Sequence, residues 1–142
     1  MIREATRRDV PAMIRMARSF HDASPMATLP FCDRAAAAAT MGAVDDQNTL
    51  ALILDLDGPV GALVAHLAVY PLGNTITAKE AVFWIEPAAR GRWAMKMIRA
   101  YEAWATERGA EVIGMSCFGD GAERLFKRAG FRPAEINTIK GI

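Results

Sequence analysis

The sequence lacks a charge excess of either sign and has few residues that bind metals. Its 17 lysines and arginines nearly balance 16 aspartates and glutamates, giving a net charge of +1. No overall basic field therefore indicates binding to nucleic acid. Only two cysteines, Cys32 and Cys117, and two histidines are present, and their spacing does not match a metal site. We expect no metal, no nucleic-acid partner, and two buried free thiols in a reducing cytoplasm.

A long hydrophobic segment is also missing. The chain begins Met-Ile-Arg-Glu-Ala-Thr-Arg-Arg-Asp, without the apolar core of a signal peptide. The longest uncharged stretch, 58–78, is interrupted by Pro71-Leu-Gly-Asn74, so we expect no membrane span and no membrane partner. With 142 residues, 52% of them hydrophobic and 23% charged, the chain predicts a single cytoplasmic domain over residues 1–142.

Hydrophobic periodicity predicts the element order β-α-α-β-β-β-α-β-α-β. Tight turns join the three central strands into an antiparallel meander, whereas a helix separates the next strand and makes it parallel to its predecessor. The predicted elements, in chain order, are a strand at 2–4, a helix to residue 20, a helix at 34–44, strands at 49–55, 60–70 and 80–86, a helix ending at residue 109, a strand at 111–117, a helix at 120–129, and one or two strands within 131–142.

The segment 80–99 carries the strongest indication of a ligand. It reads as an apolar strand, a short turn containing Arg90, Gly91 and Arg92, and the start of an amphipathic helix. A helix start turns backbone N–H groups and a positive dipole end toward one point, where a diphosphate fits. The turn also lies at the single parallel crossover, a place where ligands bind in mixed sheets. The alternative is an ordinary connection whose basic residues are solvated.

Four segments together carry a resemblance to a known family. They are Ile2-Arg-Glu-Ala-Thr…Asp9-Val10, Phe83-Trp-Ile-Glu-Pro…Arg90-Gly91, Ala100-Tyr-Glu-Ala-Trp-Ala-Thr-Glu-Arg-Gly-Ala110 and Glu123-Arg-Leu-Phe-Lys-Arg-Ala-Gly-Phe131. Their order and spacing resemble the GCN5-related N-acetyltransferases (GNAT), and the ending Arg132-Pro-Ala-Glu…Lys140 is similar to small phage and prophage members. The resemblance implies an α/β (α+β) fold with a mixed, mostly antiparallel sheet, one central parallel pair and helices on both faces.

The resemblance also implies acetyl-CoA as co-substrate and an amine acceptor, either a small molecule or a protein. The family's pyrophosphate loop is Gln/Arg-x-x-Gly-x-Gly/Ala, and this chain departs from it. Aligned through the following helix, Ala89 and Arg92 replace the usual Arg/Gln and Gly, whereas a shift by one residue matches Arg90 but places Trp93 and Met95 at the glycines. Because backbone N–H groups do most of the holding, we interpret this as altered rather than lost coenzyme binding. The implied coenzyme contacts are Trp84, Ile85, Arg90, Gly91, Arg92, Trp93, Ala94, Ser116 and Phe126, although both tryptophans also fit packing positions.

The resemblance places Glu80 and Glu86 at the ends of the strand beside the thioester, and it implies Glu80 as the first choice for the base that accepts the amine proton, directly or through water, with Glu86 as the second. The alternative for each is a solvated glutamate at a strand end. A regular strand would place both on one face, unless a bulge intervenes. The resemblance places Phe126 where the family often has a tyrosine that reprotonates the leaving thiolate. Cys117 is expected to be a small buried residue, since no neighbouring base is visible that would activate it.

The sequence therefore predicts an acetyl-CoA-dependent N-acetyltransferase that acts on a primary amine by direct attack. The alternative is a catalytically weak or inactive CoA-binding or protein-interaction module of the same fold, which Phe126 and the altered loop favour. Small domains of this kind often pair, so a homodimer is also considered.

Overall fold

The computed structural model describes residues 1–142, and its elements follow the predicted order as far as residue 130. None of its helices is long and apolar enough to cross a membrane. The elements are β1 (Ile2–Glu4), a 3-10 turn (Arg7–Asp9), α1 (Val10–Ala23), α2 (Asp33–Asp45), β2 (Thr49–Asp55), β3 (Pro59–Val69), β4 (Ile76–Ile85), a second 3-10 turn (Pro87–Ala89), α3 (Arg92–Glu107), β5 (Val112–Gly114) and α4 (Asp120–Arg128).

One five-stranded sheet, in the order β1-β2-β3-β4-β5, organises the molecule. All neighbouring strands are antiparallel except β4 and β5, which are parallel because α3 connects them. The predicted turn between β2 and β3 is present: Asp57 and Gly58 have positive φ angles of 58° and 126°. The backbone N–H of Gly58 donates to Asp55 Oδ1 at 2.9 Å and closes this turn. The predicted meander and its single parallel pair are confirmed.

Helices cover both faces of the sheet, as the resemblance implied. On one face, α1 contributes Ala12, Met13 and Met16 to a cluster with alternate residues of β2 and β3. On the other face, α3 contributes Met97 and Tyr101 to a larger cluster that includes the remaining inward residues of β2 and β3. Alternation along each strand therefore supplies both cores, and this explains why β2 is buried over its central residues.

An arginine links the start of the chain to the middle of the sheet. The Arg3 guanidinium donates to both carboxylate oxygens of Asp9 at 2.8 Å and to Asp55 Oδ2 at 2.8 and 3.1 Å. Asp9 also accepts the backbone N–H of Thr6 at 2.8 Å, and it is 5% exposed. These contacts hold β1, the entry to α1 and the end of β2 together, and they lower the pKa of both carboxyls.

The C-terminal strands predicted within 131–142 are wrong, because these residues form no strand. A strand requires a free sheet edge, and the only edge close by belongs to β5, which is three residues long. Pro133 also lacks the N–H that a ladder needs. Ile136 and Ile139 consequently remain exposed. Elsewhere the differences are in boundaries: β4 begins four residues earlier than predicted, and β5 ends at Gly114 rather than Cys117.

We predict that Arg3→Met destabilises the protein by about 2 kcal/mol, because it leaves the nearly buried Asp9 carboxylate without its charged partner. Both carboxyls have lowered pKa values in the folded state. Their stabilisation is therefore complete above the usual carboxyl pKa of about 4, and it is lost as the pH falls toward the lowered values. Urea unfolding should show a wild-type advantage at pH 7 that shrinks below pH 4.

Arg7→Met is the control for this prediction, since the ion pair between Arg7 and Asp45 is exposed. It should leave the unfolding midpoint unchanged. An Arg3→Met protein as stable as the wild type at pH 7 would show that the Arg3 contacts contribute nothing.

Candidate active site

A one-residue bulge in β4 creates the site. Opposite β3, Val82 pairs with Val64 but Glu80 pairs with Ala65, so Ala81 is the extra residue. The bulge exchanges the two faces of the strand. Before it, Ala78 packs in the α3-side cluster; after it, Trp84 packs against the α1-side cluster. A regular strand would have placed Glu80 and Glu86 on one face. The bulge between them, which the sequence prediction allowed for, removes that alternation.

The two parallel strands separate at the bulge. β5 pairs with β4 only from Thr77–Val112 to Lys79–Gly114. The Glu80 side chain lies where this ladder stops, and its Oε2 accepts the backbone N–H of Ser116 at 3.0 Å. A side-chain carboxylate therefore takes the place of a strand partner for the chain that leaves β5. Beyond this point, the second edge of β4 has no strand beside it.

The Glu80 carboxyl is 4% exposed. Burial raises its pKa above the ordinary value, while the hydrogen bond from Ser116 and the charge of Lys79 oppose that change. Burial and, after it, the charge of Glu80 raise the pKa of Tyr101, whose hydroxyl donates to the Gly114 carbonyl at 3.1 Å. The vertex of the gap, where β4 and β5 separate, is thus a buried region built around one hydrogen-bonded carboxyl.

A cavity of about 860 Å³ lies in the gap. One wall is β4 from Phe83 to Ile85, and the facing wall is the segment 116–119 that follows β5. Phe83 and Ile85 pack with the α3-side cluster and Trp84 with the α1-side cluster, so the cavity reaches both faces of the sheet. The indole Nε1 of Trp84 is buried and has no hydrogen-bond partner within the protein.

The start of α3 forms one end of the cavity. Gly91 precedes the helix with φ of 110° and ψ of −126°. After Arg90, whose N–H donates to Pro87 O at 3.4 Å, the next backbone N–H that donates to a carbonyl is that of Ala94, which bonds to Gly91 O at 3.1 Å. The N–H groups of Gly91, Arg92 and Trp93 have no backbone partner outside the helix, and none is available within it. They are available to an anion.

A second helix, α4, begins at the same cavity, with Gly119 before it at φ of 103°. Its first turn contains Asp120 and Glu123, which offset its positive end. The first turn of α3 contains no acidic residue. The start of α3 is therefore the stronger anion site of the two.

Arginine side chains surround this end. The Arg90 guanidinium donates from Nε to the Ile85 carbonyl at 2.9 Å and lies 4.9 Å above the Trp84 ring. Arg92 and the Lys96 ammonium lie 5.1 and 4.8 Å from the Trp93 ring centre. Stacking of this kind orients a cation while leaving its donors free. The charged side chains that line the cavity are Arg90, Arg92 and Arg128, and no carboxylate lines it.

The departure from the family's loop costs little in this geometry. Arg92, which stands where a glycine is usual, is the first residue of α3 and so has a conformation that any residue adopts. The left-handed φ falls on Gly91 instead. The sequence keeps a glycine at the one position of this turn that requires it.

The structure brings eight of the nine predicted coenzyme contacts together around the cavity. They are Trp84, Ile85, Arg90, Gly91, Arg92, Ala94, Ser116 and Phe126. Trp93 lies beside them without lining it, and the carbonyl of Ile85 is already used by Arg90. Of the two predicted bases, Glu80 lies behind Ser116 rather than on the cavity wall, and Glu86 follows the end of β4, where its N–H donates to Val60 O at 2.8 Å.

Cys117 corrects one expectation, because it is exposed on the cavity wall rather than buried. Cys32 is exposed as well. Partial desolvation by the cavity wall and the charges of Glu123 and Glu80 raise the pKa of the Cys117 thiol. A raised pKa keeps it protonated, which argues against a covalent acyl-cysteine route. No group of three His, Cys, Asp or Glu side chains lies close enough to hold a metal ion.

Sequence reasoning did not name the residues that α1 contributes to the cavity. Phe20 and Ala23, from the last turns of this helix, line the cavity together with Phe118. Nothing in the local sequence indicates that residues so far apart meet, since only the packing of α1 on the sheet brings them there. Gly119 and Gly121 also line the cavity. Their place just before and inside a helix start was the signal that could have found them.

The comparisons with known proteins agree with this geometry. A sequence model of the acetyltransferase (GNAT) family matches residues 13–131. The chain belongs to the GNAT family. This GNAT protein is accordingly an acyltransferase. No protein with a curated description matches its sequence.

Solved structures share the fold of this GNAT protein at low sequence identity. A transcriptional regulator from Bacillus halodurans C-125 superposes with a TM-score of 0.80 at 21% identity, covering 100% of this chain and 99% of the other. An aminoglycoside acetyltransferase from an uncultured soil metagenomic sample gives 0.74 at 19% identity, covering 100% and 97%. A ribosomal-protein-alanine N-acetyltransferase from Brucella melitensis biovar Abortus 2308 gives 0.73 at 14%, covering 100% and 99%.

We predict that Glu80→Gln stabilises the folded protein at neutral pH. Ionising a buried carboxyl is unfavourable, whereas a glutamine still offers an oxygen to the Ser116 N–H. Because the folded pKa of Glu80 is raised, the wild type loses stability as the pH rises from the usual carboxyl value through the raised one. Thermal unfolding should give the variant a higher Tm at pH 8 and an equal Tm at pH 4.

The matched control is Glu86→Gln, which changes a half-buried carboxyl that accepts no hydrogen bond from the protein. Its Tm should follow that of the wild type at every pH. A Glu80→Gln protein that melts below the wild type at pH 8 would contradict the assignment of an unfavourable buried charge.

Proposed function

We propose that this GNAT protein transfers the acetyl group of acetyl-CoA to a primary amine by direct attack. The observation that carries the proposal is the cavity itself. At one end lie a helix start with unused N–H groups and the side chains of Arg90 and Arg92, and from there the cavity runs through the gap between β4 and β5. A long molecule with a diphosphate at one end and a reactive thioester at the other fits this layout. GNAT enzymes generally use acetyl-CoA.

The diphosphate would bind at the start of α3. The N–H groups of Gly91, Arg92 and Trp93 would donate to its oxygens, and the two arginine side chains would add charge-assisted contacts. The pantetheine arm would lie along the unpaired edge of β4, with Phe83, Ile85 and Phe126 as apolar neighbours. This arrangement holds the thioester near Ser116, next to the vertex of the gap.

The reaction requires a neutral amine that approaches from the other face of the sheet. Its nitrogen forms a bond to the thioester carbon, the carbon–sulfur bond breaks, and one amine proton is released. Glu80 is the proposed acceptor of that proton, through a water because its side chain lies behind Ser116. Burial raises its pKa toward the working range of a base. The thiolate takes a proton from water, since Phe126 has no hydroxyl to offer.

A CoA-binding module without turnover is the second candidate. Phe126 on the cavity wall and the position of Glu80 away from the open surface favour it. The resemblance to phage and prophage members, the homodimer and the cytoplasmic location remain predictions from the sequence.

Coenzyme binding is tested first. Wild-type protein should bind acetyl-CoA in calorimetry at high micromolar concentration or below. Gly91→Ala should weaken binding at least about tenfold. A residue with a side chain is strained by about 1 kcal/mol or more at φ of 110°, so the turn relaxes and its N–H groups move. Absence of wild-type binding would remove the proposal.

The matched control for this experiment is Gly42→Ala. Gly42 lies in α2 away from the cavity, and a methyl group there meets no atom within 4 Å. Acetyl-CoA affinity should stay at the wild-type value, and stability should rise by about 0.5–1 kcal/mol because alanine favours the helix. A loss of affinity in both variants would point to a general loss of folded protein.

The base is tested by steady-state kinetics. Glu80→Gln should lower kcat by about 10²–10⁴ while leaving the Kd of acetyl-CoA unchanged. In the wild type, the acid limb of kcat/KM against pH should lie above the usual glutamate pKa and should be absent in the variant. Glu86→Gln is the comparison. If Glu80→Gln is fully active and Glu86→Gln is not, the second choice is the base.

A further inference from the structure

The charged residues that line the cavity come from the start of α3 and from α4, which contributes Arg128, whereas α1 contributes only apolar residues. Arg90 and Arg92 lie by the start of α3, whereas α1 contributes Phe20 and Ala23 and the segment after β5 contributes Phe118. If the coenzyme takes the start of α3, as the proposed function requires, the α1 side of the sheet remains for the acceptor. The inference that follows rests on that proposal.

Two phenylalanines form the wall on the α1 side. The rings of Phe20 and Phe118 meet edge to face, with centres 5.3 Å apart and planes at 62°. Both residues are partly exposed and both line the cavity. Trp84 adds a third aromatic side chain to the same lining. Aromatic walls at these separations accommodate another ring by edge or offset stacking.

The charges near this wall do not suit a polycation. No aspartate or glutamate lines the cavity, and Glu80 lies behind the Ser116 backbone. The acidic groups of the neighbouring segments are paired or face solvent: Asp33 pairs with Arg18 at 2.8 Å, Asp22 is exposed, and Asp120 and Glu123 are exposed in the first turn of α4. An acceptor with several ammonium groups would lose hydration there without gaining partners.

We propose that the acceptor is a monoamine carried on an aromatic or similarly bulky apolar group, which packs against Phe20 and Phe118. The amino group is directed toward the gap and the thioester, and the apolar group stays on the α1 side. Each ligand then lies against residues of suitable polarity, with the anionic coenzyme at the arginines and the apolar acceptor at the phenylalanines.

The test compares four amines at saturating acetyl-CoA: 2-phenylethylamine, n-propylamine, spermidine and kanamycin. Acetylated product is measured by mass spectrometry, because the exposed Cys32 and Cys117 would react with a thiol reagent. We expect kcat/KM for 2-phenylethylamine to exceed that for propylamine by about 10–200-fold, as for an apolar group that fills an apolar site. Spermidine and kanamycin should be poorer still.

Phe20→Leu and Phe118→Leu should each lower the ratio of kcat/KM for 2-phenylethylamine to that for propylamine by about tenfold, since leucine keeps the site apolar but removes the ring. Phe31→Leu is the control: its ring lies against Arg18 and His21 and does not line the cavity, so the ratio should stay at the wild-type value.

The outcomes separate this inference from the proposed function. If acetyl-CoA binds but spermidine or kanamycin is the better acceptor, or if neither phenylalanine variant changes the ratio, the inference is overturned and the acetyltransferase proposal stands. If acetyl-CoA binds and none of the four amines is acetylated, the monoamine acceptor is rejected. If the wild type does not bind acetyl-CoA, the proposed function fails, and the inference fails with it.

Discussion

The hydrogen bond from the Ser116 N–H to the Glu80 carboxylate is the interaction on which the site depends. It forms at the point where the parallel ladder stops and where Ala81 bulges out of β4. The bulge exchanges the faces that the later residues of β4 occupy. The Glu80 carboxylate holds the segment that follows β5 by a single hydrogen bond, without strand pairing. A continuous parallel pair here would fill the gap with backbone hydrogen bonds and leave no opening between the two faces.

That arrangement places an unfavourable group in the protein. The Glu80 carboxyl is buried, and its raised pKa shows that ionisation is opposed. Stability is instead supplied by elements away from the gap, among them the two apolar clusters and the Arg3 contacts that fix β1 to β2. In many proteins a desolvated acid at a functional site lowers stability, and the core elsewhere in the molecule compensates for that loss.

Local patterns were sufficient wherever a residue's neighbours in sequence are also its neighbours in space. The strand 49–55, the turn at Asp57-Gly58 and the helix start after Gly91 were predicted at their observed positions. The strands within 131–142 failed, because a strand also needs an edge to pair with, and β5 offers three residues. Cys117 was expected to be buried, but β5 ends at Gly114, so Cys117 lies beyond the strand and is exposed.

The sequence by itself determined the order of elements, the single parallel crossover and the glycine that the turn before α3 requires, because each depends on local propensity or on one residue's φ. Through the family resemblance, the sequence also supplied eight of the 19 residues that line the cavity. Only the tertiary structure decided which face each residue of β4 occupies, since the extra residue Ala81 exchanges the two faces for every residue that follows it. Only packing brings Phe20 of α1 to Phe118, 98 positions along the chain, and with them the apolar wall of the cavity on the α1 side.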